Sequence, residues 1–171
     1  TDYAKGSLLD SVAAELVKAA RDAGHIVLVD PKGNDYAIYR GATVIKPNRR
    51  ELADVTRRAV GSDIEIATAA RLLIEQHGFG AVLVSLSEQG MLLVEASGAT
   101  HRLPTVAREV FDVSGAGDTV MAAMAVAMAV GAPPLEAARL ANIAAGIVVG
   151  KIGTASVRTR ELLDTLVDRD Q

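Results

Sequence analysis

The sequence predicts an α/β protein with a mostly parallel sheet covered by helices on both faces, and three observations predict it. Short apolar runs rich in β-branched residues, Ile26 to Val29, Thr43 to Lys46 and Ala81 to Leu86, are too short for buried helices and too continuously apolar for half-exposed strands. Helix-period segments separate them, and alternation of strand with helix is the pattern of a parallel sheet joined by crossover helices. A further strand-like segment ends near Asp112 in the turn Asp112-Val113-Ser114-Gly115-Ala116-Gly117-Asp118-Thr119, which passes straight into a strong helix former.

Taken in order, Ser7 and Asp10 have capping-box-like spacing ahead of a helix that would place Leu8, Val12, Leu16 and Ala19/Ala20 on its buried face, with Gly24 as its stop. Ile26 to Val29 reads as a buried strand ending at Asp30, where open α/β sheets place their ligand groups. Thr43 to Lys46 is a second buried strand, closed by Pro47. Helices follow from Arg49 to about Arg58 and from about Asp63 to Gln76, the latter stopped by Gly78. Ala81 to Leu86 is the third strand. Met91 to Val94 and Ala99 to Leu103 would form antiparallel edge strands turning at Ser97-Gly98. The helix after the glycine turn runs to about Val130. Pro133-Pro134 introduces another from about Leu135 to Val149, and a last helix spans about Arg160 to Val167. No internal repeat or linker divides the chain, so residues 1–171 are expected to belong to a single domain.

Composition narrows the function classes. Half of the 171 residues are hydrophobic, yet there are only three Tyr, two Phe and no Trp, which predicts an aliphatic, alanine-rich core. A formal net charge of −3 without a basic run argues against nucleic acid or an anionic membrane as a partner. The absence of cysteine excludes disulfides and thiolate metal sites. The longest apolar run, Val120 to Gly131, falls well short of the ~20 residues that a membrane span requires. It reads as a buried helix of a soluble protein.

The glycine turn carries the strongest chemical signal. A turn at a helix start leaves backbone N–H groups unpaired where the helix dipole is positive, and this makes an anion site. Gly115 and Gly117 would let that backbone approach a ligand closely. Asp118 sets a carboxylate beside the site. It either caps the helix or takes the proton from a hydroxyl that attacks a transferring phosphoryl group held by Gly115, Ala116 and Gly117. Asn48 and Glu51, spaced N-x-x-E, make a capping box, while Arg49 and Arg50 are a pair of arginines in the same turn. Asp30-Pro31-Lys32-Gly33 and Ser85-Leu86-Ser87-Glu88-Gln89-Gly90 both have the composition of ordinary turns. His25, His77 and His101 follow no metal-ligand spacing.

Asp112 to Ala125 resembles, at every position, the C-terminal signature of the ribokinase-like (PfkB) carbohydrate kinases. Asp30-Pro31-Lys32-Gly33, Tyr39-Arg40-Gly41-Ala42-Thr43, Pro47-Asn48-Arg49-Arg50-Glu51 and Ser85-Leu86-Ser87-Glu88-Gln89-Gly90-Met91 are similar to the heptose 7-phosphate kinases of lipopolysaccharide core synthesis. The resemblance implies a three-layer α/β/α ribokinase-like fold. Thr1-Asp2-Tyr3-Ala4-Lys5-Gly6 looks like a segment lying well inside such kinases, so the chain is expected to be the C-terminal part of a longer kinase domain, without the N-terminal half and lid.

The resemblance also implies an ATP- and Mg2+-dependent kinase that is cytoplasmic and homodimeric. It would act on a sugar phosphate, most closely D-glycero-β-D-manno-heptose 7-phosphate, to give the 1,7-bisphosphate, with Asp118 as base. The chain by itself is expected to be inactive as a sugar kinase. Alternatives are a phosphofructokinase- or ribokinase-like activity, or a nucleotide-binding piece without turnover of its own. On the family pattern Asn48 and Glu51 lie near the nucleotide phosphates and Mg2+. Lys32 and Arg49 are phosphate contacts, and Ser85, Ser87 and Gly90 belong to the nucleotide loop. Ser85 replaces Thr and Ser87 replaces the first Gly of the general Thr-x-Gly-x-x-Gly pattern, a departure the heptose kinases share. Asn142 to Lys151 corresponds to the helix and loop beside the adenine, with Asn142 a nucleotide contact. Asp112, Ser114, Gly153 and Ser156 fall where some relatives hold a monovalent cation.

Overall fold

Polar side chains set the helix boundaries. In the computed structural model, which describes residues 10–107, 111–153 and 155–167, Asn48 Oδ1 accepts from the Glu51 N–H at 2.9 Å and Glu51 Oε2 accepts from the Asn48 N–H at 2.8 Å. This closes the capping box of helix α2 (Arg49–Thr56). Ser62 and Glu65 do the same for α3 (Asp63–His77), which Gly78 ends in the left-handed conformation. The opening motif, Ser7 and Leu8 lie outside the described residues.

The described residues form two compact units, one within Thr1–Ser87 and Met91–Arg102, the other within Glu88–Gly90 and Leu103–Gln171. The first unit opens with α1 (Asp10–Asp22) and holds strands β1 (Leu28–Val29), β2 (Val44–Ile45), β3 (Ala81–Ser85) and β4 (Met91–Glu95), with most of β5 (Thr100–Leu103). The sheet order is β1-β2-β3-β4-β5. Strands β1, β2 and β3 pair in parallel through Leu28↔Val44 and Val44↔Ala81, and β4 runs antiparallel to β3. The turn before β5 closes through Glu95 N–H to Ala99 C=O at 2.9 Å. The second unit contains α4 (Ala116–Ala129), α5 (Pro134–Val149) and α6 (Thr159–Val167), with Pro134 at the first position of α5. No described helix is long and apolar enough to cross a membrane.

Three sequence expectations are corrected. The predicted strand Ile26 to Val29 is reduced to Leu28–Val29, which pairs with β2 through two residues, and Ile26 is exposed. On α1 the buried stripe is Ala13 and Val17, not Val12 and Leu16, which face outward at 41% and 57% exposure. The reason is a 3₁₀ turn at Tyr36–Tyr39 that sequence reading missed. Its two tyrosines are buried in the same cluster as Ala13 and Val17, so that face of α1 is the one covered. The core is therefore aliphatic but keyed by Tyr36, Tyr39 and Phe79, each no more than 2% exposed. The two tyrosine rings meet edge to face at 6.3 Å.

Gly90, at φ 88°, has a packing requirement of its own. A Cβ there would lie 2.1 Å from the Leu103 carbonyl oxygen and 2.5 Å from the Thr105 nitrogen, both backbone atoms with little freedom to yield. Gly90→Ala is therefore expected to lower stability by about 2–3 kcal/mol in urea unfolding. An unchanged midpoint would mean that the 103–105 segment moves aside at no cost.

Candidate functional site

In the second unit the glycine turn builds the start of α4. Gly115 is the N-cap at φ 79°, a left-handed conformation that glycine adopts freely, and no side chain caps this helix. The Ala116 N–H closes a turn on the Val113 carbonyl at 3.2 Å. Among the described residues the Gly115 and Gly117 N–H groups have no hydrogen-bond partner. Asp118 is the third residue of the helix and exposed. It is thus not the cap, a place taken by Gly115, but a carboxylate in the first turn, where the helix dipole favours negative charge. Phe111 and Asp112 donate to the Val149 carbonyl at 2.8 and 3.3 Å and so moor the turn to the end of α5.

Asp112, Ser114 and Gly153 come together as one acceptor with its donors. Asp112 Oδ1 accepts from the Ser114 N–H at 2.8 Å. That bond, with the Ser114 hydroxyl and the Gly153 N–H, holds the Asp112 carboxyl below the usual carboxylate range. The Ser156 carbonyl accepts from Lys151 Nζ at 2.9 Å. One Asp112 oxygen and the Ser156 carbonyl are thus both engaged by protein donors.

Asn142, 9% exposed, donates from Nδ2 to the Pro104 carbonyl at 2.7 Å. One turn along, a Cβ at Gly146 would lie 2.6 Å from Val106 Cγ2. Together with Gly90 these residues fix the segment leaving β5, so Asn142 has a structural duty whatever else it contacts.

In the first unit Lys32, Asn48, Glu51 and Ser85 gather at the carboxyl ends of the parallel strands. Asn48 bridges to Ser85, and the Ser85 N–H donates to the Pro47 carbonyl at 3.1 Å. Lys32 Nζ donates to Glu51 Oε1 at 2.6 Å and lies 3.7 Å from Asp30. Behind them is a pair that sequence reading missed, Lys46 with Asp30 at 3.2 Å, 4% and 5% exposed. Asp30 Oδ1 has no hydrogen bond of acceptable geometry, so this is an ion pair only. The Tyr36 hydroxyl is also buried without a partner, and burial, then Glu51, push its pKa far upward. The sequence signal was a lysine closing an otherwise apolar strand next to an aspartate closing its neighbour. Arg49 is half-buried and Arg50 exposed beside Asp54 at 3.7 Å. Ser87 has φ 55°, a left-handed conformation that glycine adopts more readily. His77 Nδ1 is buried without a partner, and burial followed by Arg40 lowers the ring's pKa.

The profile described as pfkB family carbohydrate kinase matches residues 3–160. The chain belongs to the pfkB family of carbohydrate kinases. It is 56% identical over 170 residues to the bifunctional protein HldE of Paramagnetospirillum magneticum, covering 99% of this chain and 35% of that protein. The HldE of Mesorhizobium japonicum is 57% identical over 166 residues, 97% of this chain and 33% of its own length. Arabidopsis thaliana ribokinase, solved with ribose and ATP, matches with a TM-score of 0.84 at 29% identity over 92% of this chain and 53% of that one. Escherichia coli phosphofructokinase-2, solved with potassium, gives a TM-score of 0.84 at 22% identity over 96% of this chain and 54% of its own, a likeness of fold alone. This pfkB family chain thus has the three-layer α/β/α ribokinase-like fold and spans about a third of these curated relatives, or about half of the solved chains.

Proposed function

We propose that this pfkB family chain supplies the phosphoryl-transfer half of an ATP-dependent kinase acting on a sugar phosphate, D-glycero-β-D-manno-heptose 7-phosphate, and that both units belong to one cytoplasmic, homodimeric kinase domain. The observation that carries the reading is the start of α4, where the Gly115 and Gly117 N–H groups are unpaired and Asp118 stands in the first turn. The likeness to the HldE proteins supports the choice of sugar.

In this reading the Asp118 carboxylate takes the proton of the sugar 1-hydroxyl while its oxygen forms the new bond to the γ-phosphorus. The bond from that phosphorus to the β-bridging oxygen breaks, and ADP leaves with the electron pair. The Gly115, Ala116 and Gly117 backbone at the positive end of α4 stabilises charge on the transferring group. Ala116 has to give up its turn bond to take part. Lys32, Asn48, Arg49 and Glu51 serve the nucleotide phosphates, and Ser85, Ser87, Gly90 and Asn142 the rest of the nucleotide. Mg2+, when bound, neutralises the phosphates. Glu51, whose two oxygens accept from the Asn48 N–H and the Lys32 ammonium, would be the carboxylate that serves the ion.

The test is incubation of the full-length kinase with Mg·ATP and a panel of sugars and sugar phosphates, with product masses read directly. Heptose 1,7-bisphosphate in clear excess over every other product is the expected result. Preferential phosphorylation of ribose or fructose 6-phosphate would move the reading to another sugar kinase, and no transfer from ATP would remove it.

A further inference from the structure

We propose that Thr119 is a positioning residue of the α4 start: its hydroxyl polarises the Gly115–Ala116 peptide and makes the Ala116 N–H a stronger donor to the transferring group. The Gly115 carbonyl, at the N-cap of α4, accepts twice from Thr119, from its N–H at 2.9 Å and from its Oγ1 at 2.9 Å. The first of these bonds belongs to any helix start. The second does not. The N-cap carbonyls of α2, α3 and α5 accept from the N–H groups of Leu52, Ile66 and Ala137, whose side chains carry no hydroxyl. Thr56, Thr68 and Thr165 also donate to the carbonyl four residues back, but those carbonyls, of Leu52, Ile64 and Glu161, lie within helices and not at an N-cap. Among these helices the hydroxyl-bonded N-cap carbonyl is thus particular to the glycine turn.

The consequence follows from the peptide unit. The Gly115 carbonyl and the Ala116 N–H are two ends of one conjugated group. A second donor on the oxygen draws electron density from the nitrogen, and hydrogen bonds chained in this way strengthen one another by about 10–30% per bond. The Ala116 N–H is one of the three donors assigned above to the transferring phosphoryl group, so the inference rests on that reading. Its turn bond to the Val113 carbonyl, at 3.2 Å, is at the long end of the range, and little is lost when a phosphoryl oxygen replaces it. Because no side chain caps α4, its donors are backbone alone, and the Thr119 hydroxyl tunes that backbone from behind. A helical threonine reaches this carbonyl in one of its two preferred rotamers, without strain. One donor of such a hole contributes about 10²–10³-fold in rate, so 10–30% on that logarithmic scale is about two- to eightfold.

The experiment compares the full-length kinase with its Thr119→Val, Thr119→Ser and Thr68→Val variants, by steady-state kinetics and by amide spectra of 15N-alanine-labelled protein. Valine keeps the shape of threonine and loses the hydroxyl, whereas serine keeps the hydroxyl. Thr119→Val is expected to lower kcat about two- to eightfold with the KM for ATP within about twofold of the parent's, because the polarised donor acts where charge develops. Its Tm should stay close to the parent's, since such hydroxyl bonds add little to helix stability. The Ala116 amide nitrogen should move to higher field in Thr119→Val and stay in place in Thr119→Ser. Thr119→Ser and Thr68→Val should both turn over as the parent does. An unchanged kcat in Thr119→Val overturns the proposal, as does a loss confined to KM. An equal loss in Thr119→Ser would assign the effect to the methyl group, and an equal loss in Thr68→Val to helix bending in general; either overturns it. So does an Ala116 resonance that stays put when the hydroxyl is removed. A parent that transfers no phosphoryl group would sink the kinase reading, and the Ala116 resonance would then decide the polarisation by itself.

Discussion

Asp118→Asn in the full-length enzyme is expected to lower kcat by about 10²–10⁴-fold, the range for a lost general base. Nucleotide affinity should change little. Asparagine has nearly the same shape, so the glycine turn and the unpaired N–H groups of Gly115 and Gly117 persist, and with them the anion site. What disappears is the ability to accept the proton. The loss should fall equally on kcat and kcat/KM, because a proton acceptor acts in the transition state and not in ground-state binding. Stability should drop by no more than about 0.3–1 kcal/mol, the worth of an exposed carboxylate at a helix start. Steady-state kinetics on a variant with verified folding decides the matter. Near-normal turnover would take Asp118 out of the mechanism and leave it as dipole compensation for α4.

What could be read in the sequence was chemistry closed within a few residues. The Asn48–Glu51 box, the glycine stop of α3 and the glycine start of α4 are each decided by neighbours in the chain, and the structure has them where the spacing puts them. Parallel pairing followed from alternation for β2 and β3, which α2 and α3 connect, while β1 and β2 also run parallel across a connection that holds only a 3₁₀ turn. The buried stripe of α1 was not legible, because periodicity fits Val12 and Leu16 as well as Ala13 and Val17. The choice is made by two tyrosines about twenty residues downstream. Ser87 was read as a departure from a glycine pattern, but only the structure shows that the serine takes a left-handed backbone. The candidate site divides the same way. Asn48, Glu51 and Ser85 are brought together in the sequence only by the family resemblance. Lys46, as the last residue of an apolar strand, gave no sign that its ammonium would turn inward to Asp30.

That inward pair predicts the largest stability effect in the molecule. Lys46→Met keeps the volume of the stem but strands the Asp30 carboxylate, 5% exposed, with Lys32 at 3.7 Å as its remaining cation. Removing one partner of a buried ion pair costs about 3–5 kcal/mol, because the other charge stays desolvated. The distant Lys32 should bring the loss to the lower end of that range. Asp30→Asn combined with Lys46→Met should recover much of it, since no buried charge then remains, and a double-mutant cycle in urea unfolding reads the coupling directly. The same variant tests the strand-end cluster. With Lys46 gone, Asp30 draws Lys32 toward itself and away from Glu51, now 2.6 Å from the ammonium. ATP should then bind more weakly to Lys46→Met than to the double variant. A loss below about 1 kcal/mol would mean that water reaches Asp30 as soon as the lysine is removed. In that case the ends of β1 and β2 are an open polar pocket and not a sealed pair.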